Sequence, residues 1–394
     1  MRKVTLLVLC GVLVIAMTIL GGCGSNPSST TAKQIVIGNL QDLSGPTSVL
    51  GNAVTRGVEL SIDKINKQGG LNGSQIKLVT LDTKGDVQEA IKAFNRLADQ
   101  EKAVAIVGPP ISNIGIGLAS IADAKKVAFV GSFADPRATV TEDGKVHPSM
   151  FLVQPSTVQY GEIMASYAVE KLSLKKIAIL YDQSNAYAVS LVNPFKKYAQ
   201  AAGATIVSEE IYSKGDKDFR TQLSKIKDSG ADVVFAPNYM QELVITAKQS
   251  RQLGLTMPFL GALDYAAPFA SLVNDPESAS NIYFANNYSD SEPQLAEVRN
   301  AYKVKYNEDP INKVYLGYDQ MTVIAEAIKL SGAATADKIL EGLNKVKDVQ
   351  GTTGILTISP DNHQPVGLSM VMYKLENGKY IDLGRYIPEK HKKQ

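Results

Sequence analysis

The feature that most constrains the fold is a repeated change of period along the chain. A short β-branched run at residues 35–38 is followed by apolar residues at helical spacing over residues 51–67, which end at a Gly-Gly pair. Similar runs and helical patterns alternate as far as residue 130. Because strands that alternate with helices form βαβ units, this pattern predicts an α/β fold with a mostly parallel sheet.

The alternation begins again near residue 161 and produces a second series of similar size. It includes strand patterns at residues 176–180 and 282–284. Two long helical patterns follow at residues 294–306 and 316–330, and the tail has strand candidates and an Asn-Gly turn. Two such series in 394 residues predict two α/β lobes, each with its own core.

The first 23 residues form a separate segment without an acidic residue. Arg2 and Lys3 precede a mostly apolar run, and Leu-Gly-Gly-Cys follows at residues 20–23. This order is typical of a secretory signal. The final cysteine makes the segment resemble a bacterial lipoprotein signal, which implies removal of residues 1–22 and a lipid on Cys23. The alternative is an uncleaved anchor of nearly spanning length, and both interpretations place the body outside the cytoplasm.

The residues that remain after cleavage exclude several classes of protein. Residues 23–33, rich in Ser, Thr, Gly and Pro, are typical of a flexible tether that starts at Cys23. Cys10 would be removed with the signal, and Cys23 would carry the lipid. No free thiol and no disulfide would then remain, so thiol catalysis is excluded. The three histidines have no metal-ligand spacing. Without Arg2 and Lys3, the 41 basic residues become 39 and balance the 39 acidic residues, a composition without the basic surface that nucleic-acid binding needs.

Candidate binding residues follow the strands, because ligands of parallel sheets bind beyond the carboxyl ends of the strands and in clefts between domains. Residues 107–113 follow one strand and open a helix, and Ser112 fits its N-cap. A hydroxyl and free N–H groups at a helix start suit a carboxylate or a phosphate. The alternative is that Ser112 only caps the helix.

Other strand ends carry a hydroxyl, an aromatic ring or an acid. They are the segments at residues 131–136, 181–187, 237–239 and 261–265. A loop-capping Asp or a surface Tyr is the ordinary interpretation of each one alone. Their repeated position at the same edge of a sheet favours a binding site.

Several segments resemble type I periplasmic binding proteins of the branched-chain amino acid class. They are residues 37–73, 107–113, 151–170, 317–329 and 349–362. The resemblance covers nearly all of residues 34–380 in the family's order. It implies two Rossmann-like lobes joined by three crossovers that close on a small ligand, and delivery of that ligand to an ABC permease. We expect the N-terminal lobe at residues 33–154 with 287–364, and the C-terminal lobe at residues 155–286 with 365–394.

The resemblance also implies which residues hold the two charged groups of an amino acid. Ser112, with Asn113 beside it, matches the family's carboxylate-binding serine. The segment that usually reads Ala-Thr and receives the α-ammonium is matched by Ser132, Phe133, Ala134 and Asp135. This chain departs from the family there, because Asp135 stands at or next to the threonine. Asp264, within one residue, matches the acid that pairs with the ammonium.

Three further residues match positions around the ligand side chain. Tyr187 and Tyr239 match aromatic residues that line the pocket, and Leu50 lies where an aromatic residue is often found. If Asp135 and Asp264 both face the ligand, two buried carboxylates on one side favour a polar or amine-rich ligand. If Asp135 instead turns away and caps the loop before Pro136, the pocket suits an aliphatic amino acid.

The predicted function is that of a substrate-binding lipoprotein of an ABC importer. It would capture an amino acid or a similar small zwitterion without a cofactor, and deliver it to the permease and ATPase subunits as a lipid-anchored monomer. The expected location is the outer face of the cytoplasmic membrane, or the periplasm. One alternative is an envelope-anchored sensor, although no signalling module follows in these residues. The other is an envelope hydrolase that uses Asp135 and Asp264, although no hydrolase motif accompanies them.

Overall fold

Two separate β-sheets with helices packed on their faces organise the chain. The computed structural model describes residues 34–289, 291–367 and 369–391. The predicted signal peptide, the predicted lipidation site Cys23 and the predicted tether lie outside these described residues. The α/β class and the mostly parallel sheets that the alternating pattern predicts are confirmed in the described part of the chain.

The first lobe is built on a five-stranded parallel sheet with the order β2-β1-β3-β4-β5. Its strands are β1 (Ile35–Gln41), β2 (Ile76–Asp82), β3 (Ala105–Val107), β4 (Ala128–Gly131) and β5 (Met150–Leu152). The helices between them are α1 (Ser48–Lys67), α2 (Val87–Asp99) and α3 (Ser112–Lys125). Strands β3, β4 and β5 are buried along their whole length, as expected of a parallel sheet covered on both faces.

The second lobe is built on a seven-stranded sheet with the order β14-β13-β10-β9-β8-β6-β7. Its parallel strands are β6 (Lys176–Asp182), β7 (Thr205–Tyr212), β8 (Val233–Phe235), β9 (Phe259–Gly261) and β10 (Ile282–Asn286). Its helices are α4 (Thr157–Glu170), α5 (Ala186–Ala201), α6 (Arg220–Asp228), α7 (Met240–Gln252) and α8 (Phe269–Val273). An antiparallel pair, β13 (Met370–Glu376) and β14 (Lys379–Tyr386), completes the edge beside β10.

The chain returns to the first lobe before it forms that antiparallel edge. The returning elements are α9 (Ala296–Tyr306), α10 (Asn312–Ser331), α11 (Ala336–Leu343) and the hairpin strands β11 (Val349–Gln350) and β12 (Ile355–Leu356). Helices α10 and α11 contribute Met321, Ile324 and Ile339 to the apolar core that α1 shares with the first sheet. The chain therefore crosses between the lobes three times, as the family resemblance implies.

Helices α1 and α10 approach each other closely through two glycines. A Cβ atom at Gly57 would overlap the carbonyl oxygen of Val314, and a Cβ atom at Gly317 would overlap that of Val54. Both positions need glycine because the backbones themselves are in contact. The start of α10 is consequently fixed against the first lobe.

Some elements differ from the sequence prediction in extent. Strand β5, with three residues, is missing from the prediction. Strand β14 is missing because it is an edge strand whose side chains are mostly exposed. Helix α4 starts at Thr157 and not at residue 161, because Ser156 and Gln159 form a capping box. Helix α10 starts at Asn312, four residues before the predicted start.

Candidate functional site

The carboxyl ends of the strands in the two lobes lie on the two sides of a closed cleft. Several hydrogen bonds cross between the lobes, and three of them join segments at the rim of the cleft. The Ala186 amide donates to Asn113 Oδ1 (3.2 Å), the Gln241 amide group donates to the Pro46 carbonyl (2.8 Å), and the Asn312 amide group donates to the Leu263 carbonyl (3.1 Å). These contacts place residues from both lobes in one enclosed region. Asn113 is exposed and serves as one of these interlobe contacts.

Ser112 occupies the first turn of α3 but does not cap it. The N-cap residue is Ile111, so the predicted capping role of Ser112 is wrong. The buried Ser112 hydroxyl instead accepts hydrogen bonds from the amides of Ala134 and Asp135, at 3.4 and 3.3 Å. Because both bonds use the oxygen as acceptor, the hydroxyl proton is free to be donated to a ligand. This arrangement, at the start of a helix, suits an anionic oxygen.

The segment after β4 contributes backbone atoms and one hydroxyl to the cleft. The Ser132 hydroxyl is buried and has no hydrogen-bond partner among the described residues. Ala134 contacts the core cluster of the second lobe, and its carbonyl accepts from the Thr157 amide (2.8 Å). The Phe133 ring stacks on Phe129 in the core of the first lobe. The side chain of Phe133 therefore faces away from the cleft, in contrast to its predicted place in the site.

Asp135 differs from its predicted role as a second free carboxylate. Its side chain is fully buried, caps the 3₁₀ turn Pro136–Ala138 and pairs with Arg137 at 2.6 Å. The hydrogen bond from the Arg137 guanidinium to Asp135 raises the pKa of that guanidinium. The negative charge of Asp135 is thus neutralised within its own loop. The prediction of an amine-rich ligand required two carboxylates that face the ligand, and Asp135 is not available as one of them.

Tyr187 and Tyr239 form a stacked pair that lines the second-lobe side of the cleft. Their ring centroids lie 5.5 Å apart with an interplanar angle of 6°. Tyr239 contacts the apolar clusters of both lobes, so it lies at their boundary. Burial and then the nearby Asp264 carboxylate raise the pKa of both phenols above the usual range. Leu50 is buried in the first turn of α1.

Asp264 lies in the 3₁₀ turn Leu263–Tyr265, just after β9, and is only 5% exposed. Burial raises the pKa of its carboxyl group, and the positive charge of Lys313 opposes that shift. Lys313, in the first turn of α10, is 4% exposed, and burial lowers the pKa of its ammonium to about 8. The cleft therefore contains one buried acid from the second lobe and one buried base from the first.

Lys313 and Thr157 are the residues of this region that sequence reasoning missed. Both lie upstream of the starts that the apolar spacing gave to α10 and α4, so neither was placed on a helix. The sequence signal that could have identified Lys313 is its position three residues before the helical pattern of residues 316–330. Nothing in the sequence indicates that a lysine there is buried.

Four hydroxyl groups in this region are buried without a hydrogen-bond partner in the described part of the chain. They belong to Ser132, Thr157, Tyr187 and Tyr239. Most buried polar groups in proteins are hydrogen-bonded, so several unpaired hydroxyls around one cleft indicate a place for a polar ligand. Within residues 34–289, 291–367 and 369–391, no group of three or more His, Cys, Asp or Glu side chains is arranged to hold a metal ion.

Comparison with known proteins assigns the fold and the family. The model of the periplasmic binding protein family matches residues 34–379. The chain belongs to this family. The type I resemblance seen in the sequence is thereby confirmed, and it places this periplasmic binding protein among solute-binding proteins of the cell envelope.

Individual relatives of this periplasmic binding protein carry names that refer to amino acids. A leucine-, isoleucine-, valine-, threonine- and alanine-binding protein of Pseudomonas aeruginosa is 26% identical over 330 residues, which cover 83% of this chain and 86% of the relative. The isoleucine complex of the transporter substrate-binding protein LivJ from Streptococcus pneumoniae is 30% identical with a TM-score of 0.80, over 90% of this chain and 99% of that one. The leucine-binding protein LivK of Thermotoga maritima is 26% identical with a TM-score of 0.81, at the same coverage.

No helix in the described ranges has both the length and the apolar content that a membrane span requires.

Proposed function

We propose that this periplasmic binding protein captures an amino acid in the interlobe cleft and delivers it to an ABC permease and its ATPase. The names of the relatives support this function. The observation that carries it is the separation of two charge-binding positions on opposite lobes. Ser112 and the start of α3 offer donors to a carboxylate, and Asp264 offers a buried acceptor to an ammonium. A zwitterion that bridges them holds the lobes together.

We also propose that the protein is a lipid-anchored monomer outside the cytoplasm. The support is the lipobox-like sequence that ends at Cys23, followed by the tether up to residue 33. A lipid on Cys23 would keep the folded lobes close to the permease. This part of the proposal is tested by whether Cys23→Ala releases the protein from membranes.

The arrangement of the carboxylates does not favour a hydrolase. Glycosidases use two carboxyl groups that both face the scissile bond. Asp135 is engaged by Arg137 and by its own turn, so only Asp264 faces the cleft. We therefore propose that the protein binds its ligand without chemical change.

A thermal-shift screen with all common amino acids tests the proposed function. A ligand that binds the folded state raises its stability by mass action, by about 2.7 kcal/mol at a hundredfold excess over Kd. At least one amino acid should therefore raise the melting temperature. One-dimensional NMR of the best ligand after long incubation should show no product. The absence of any shift across the panel, or the appearance of a product, contradicts the proposal.

A further inference from the structure

Lys313 is a charged residue for which the folded chain provides no direct partner. Its ammonium forms none of the hydrogen bonds and none of the ion pairs within 4 Å that occur in the described residues. Asp264 is the charged group that acts on it, from beyond ion-pair distance. An ammonium has three N–H donors, and a side chain that is only 4% exposed leaves little water to accept from them.

The position of Lys313 on its helix further disfavours the charged form of its side chain. It is the second residue of α10, a helix of 20 residues. The amino end of a helix carries a partial positive charge, which repels a cation in the first turn. A lysine that is both buried and at this end of a helix destabilises the empty protein. It therefore needs a compensating interaction when the cleft is occupied.

We propose that Lys313 is a specificity-determining residue that pairs with an anionic side chain of the bound amino acid. This inference rests on the proposed function and names its substrate class as acidic amino acids. The α-carboxylate would be held by Ser112 and the α-ammonium by Asp264. The side-chain carboxylate then supplies the acceptor that Lys313 lacks.

The charges of the cleft support an acidic ligand over an aliphatic one. Asp264 and Lys313 are one buried acid and one buried base, and the Asp135–Arg137 pair adds no net charge. The ammonium of an aliphatic amino acid would pair with Asp264, but its side chain would leave Lys313 without a partner. An acidic amino acid satisfies both residues.

Calorimetry at pH 7 with L-glutamate, L-glutamine and L-leucine tests this inference. Glutamate and glutamine have the same size, so the ratio of their affinities isolates the charge of the side chain. Aspartate and asparagine repeat the comparison for a shorter side chain. For the wild type, we expect the acid of one pair to bind more tightly than its amide by about 10- to 100-fold, the range for a charged hydrogen bond.

Three variants identify Lys313 as the source of the preference. Lys313→Met should remove the preference for the acid and leave the affinity for glutamine or leucine equal or higher. Lys313→Arg should retain a preference for the acid, which also covers the case in which Lys313→Met does not fold. Lys329→Met changes a lysine of the same helix that is 60% exposed and should alter no affinity.

Three results would overturn the inference, and they distinguish failure of the role of Lys313 from failure of the proposed function. If the wild type binds leucine more tightly than either acid, or if Lys313→Met leaves the acid-to-amide ratio unchanged, the role of Lys313 is wrong while the proposed function stands. If the wild type binds no amino acid at all, the proposed function and the inference both fail.

Discussion

Asp135 and Asp264 are buried acids at corresponding places in the two lobes, but only Asp135 has an ion-pair partner among the described residues. Each lies just after the carboxyl end of a parallel strand, β4 in the first lobe and β9 in the second. Asp135 is neutralised two residues later by Arg137, whose side chain reaches solvent with 45% exposure. Asp264 has no ion-pair partner within 4 Å among the described residues, and the cation that acts on it comes from the other lobe.

The difference separates a structural carboxylate from one that is available to a ligand. A carboxylate satisfied by its own loop keeps its interactions whether the lobes are open or closed. A carboxylate that faces a charge on the other lobe changes its electrostatic energy when the cleft opens or fills. We therefore expect substitutions at Asp135 to affect folding, and substitutions at Asp264 to affect binding.

The largest expected effect comes from Asp264→Asn. Loss of the acid should weaken binding of the best amino acid by about 2–5 kcal/mol, because the ligand ammonium would be left buried without its anion. The free energy of unfolding of the empty protein should change little, since burial already disfavours the charged form of Asp264. Calorimetry and urea denaturation measure the two quantities. A large loss of stability with normal affinity would reverse the comparison.

A smaller loss of affinity is expected for Ser112→Ala. The variant removes the hydroxyl proton that is available to the ligand carboxylate, which should weaken binding by about 1.5–3 kcal/mol. Stability should fall by about 1 kcal/mol, because the amides of Ala134 and Asp135 lose their acceptor. Ser112→Thr is the control, since it keeps the hydroxyl. Equal affinities for the alanine variant and the wild type would remove Ser112 from the site.

Asp135→Asn should mainly lower stability. The substitution breaks the pair with Arg137 and weakens the cap of the 3₁₀ turn, at a cost of about 1–2 kcal/mol. Ligand affinity should stay within about threefold of the wild type, a difference of about 0.65 kcal/mol. Thermal unfolding and calorimetry of the same sample provide the comparison. An affinity loss as large as that of Asp264→Asn would show that Asp135 also faces the ligand.

The pH dependence of selectivity gives the smallest expected effect. Lys313, with a pKa of about 8, is mostly charged at pH 7 and mostly neutral at pH 9. The ratio of glutamate to glutamine affinity should therefore fall by about tenfold across this interval. The α-ammonium group is common to both ligands and largely cancels in the ratio.

Asp264 and the titratable groups that interact with it act on a different pH range or are controlled by a variant. Burial raises the pKa values of Tyr160, Tyr187 and Tyr239 above 10, and burial also raises those of Asp264 and Glu242. Lys313→Met should show a ratio that does not depend on pH between 7 and 9. A ratio that falls equally in this variant would assign the effect to one of the acids.

Most of the fold could be predicted from the sequence because the period of apolar residues changes where the elements change. The helical patterns and the buried strands of both lobes follow from this signal. The lobe boundaries at residues 154 and 287 stay predictions. Strands β5 and β14 were not predicted, and β14 lies at a sheet edge where most of its side chains are exposed.

The site could be predicted only in part, because sequence position does not show where a side chain points. The rule that ligands lie beyond strand ends located Ser112, Tyr187, Tyr239 and Asp264 in one region. The same rule placed Phe133 and Asp135 there, although one packs in a core and the other pairs with Arg137. Lys313 lies on a helix start that no strand precedes, so the rule had no reason to include it.

The contact between α1 and α10 fixes the position of the helix start that carries Lys313. Lys313 sits one residue before Val314, whose carbonyl oxygen rests directly on Gly57. A methyl group added at Gly57 would overlap this oxygen, so the amino end of α10, which carries Lys313, would have to shift. If Lys313 pairs with the ligand as proposed, the geometry of that pair depends on a glycine of a neighbouring helix.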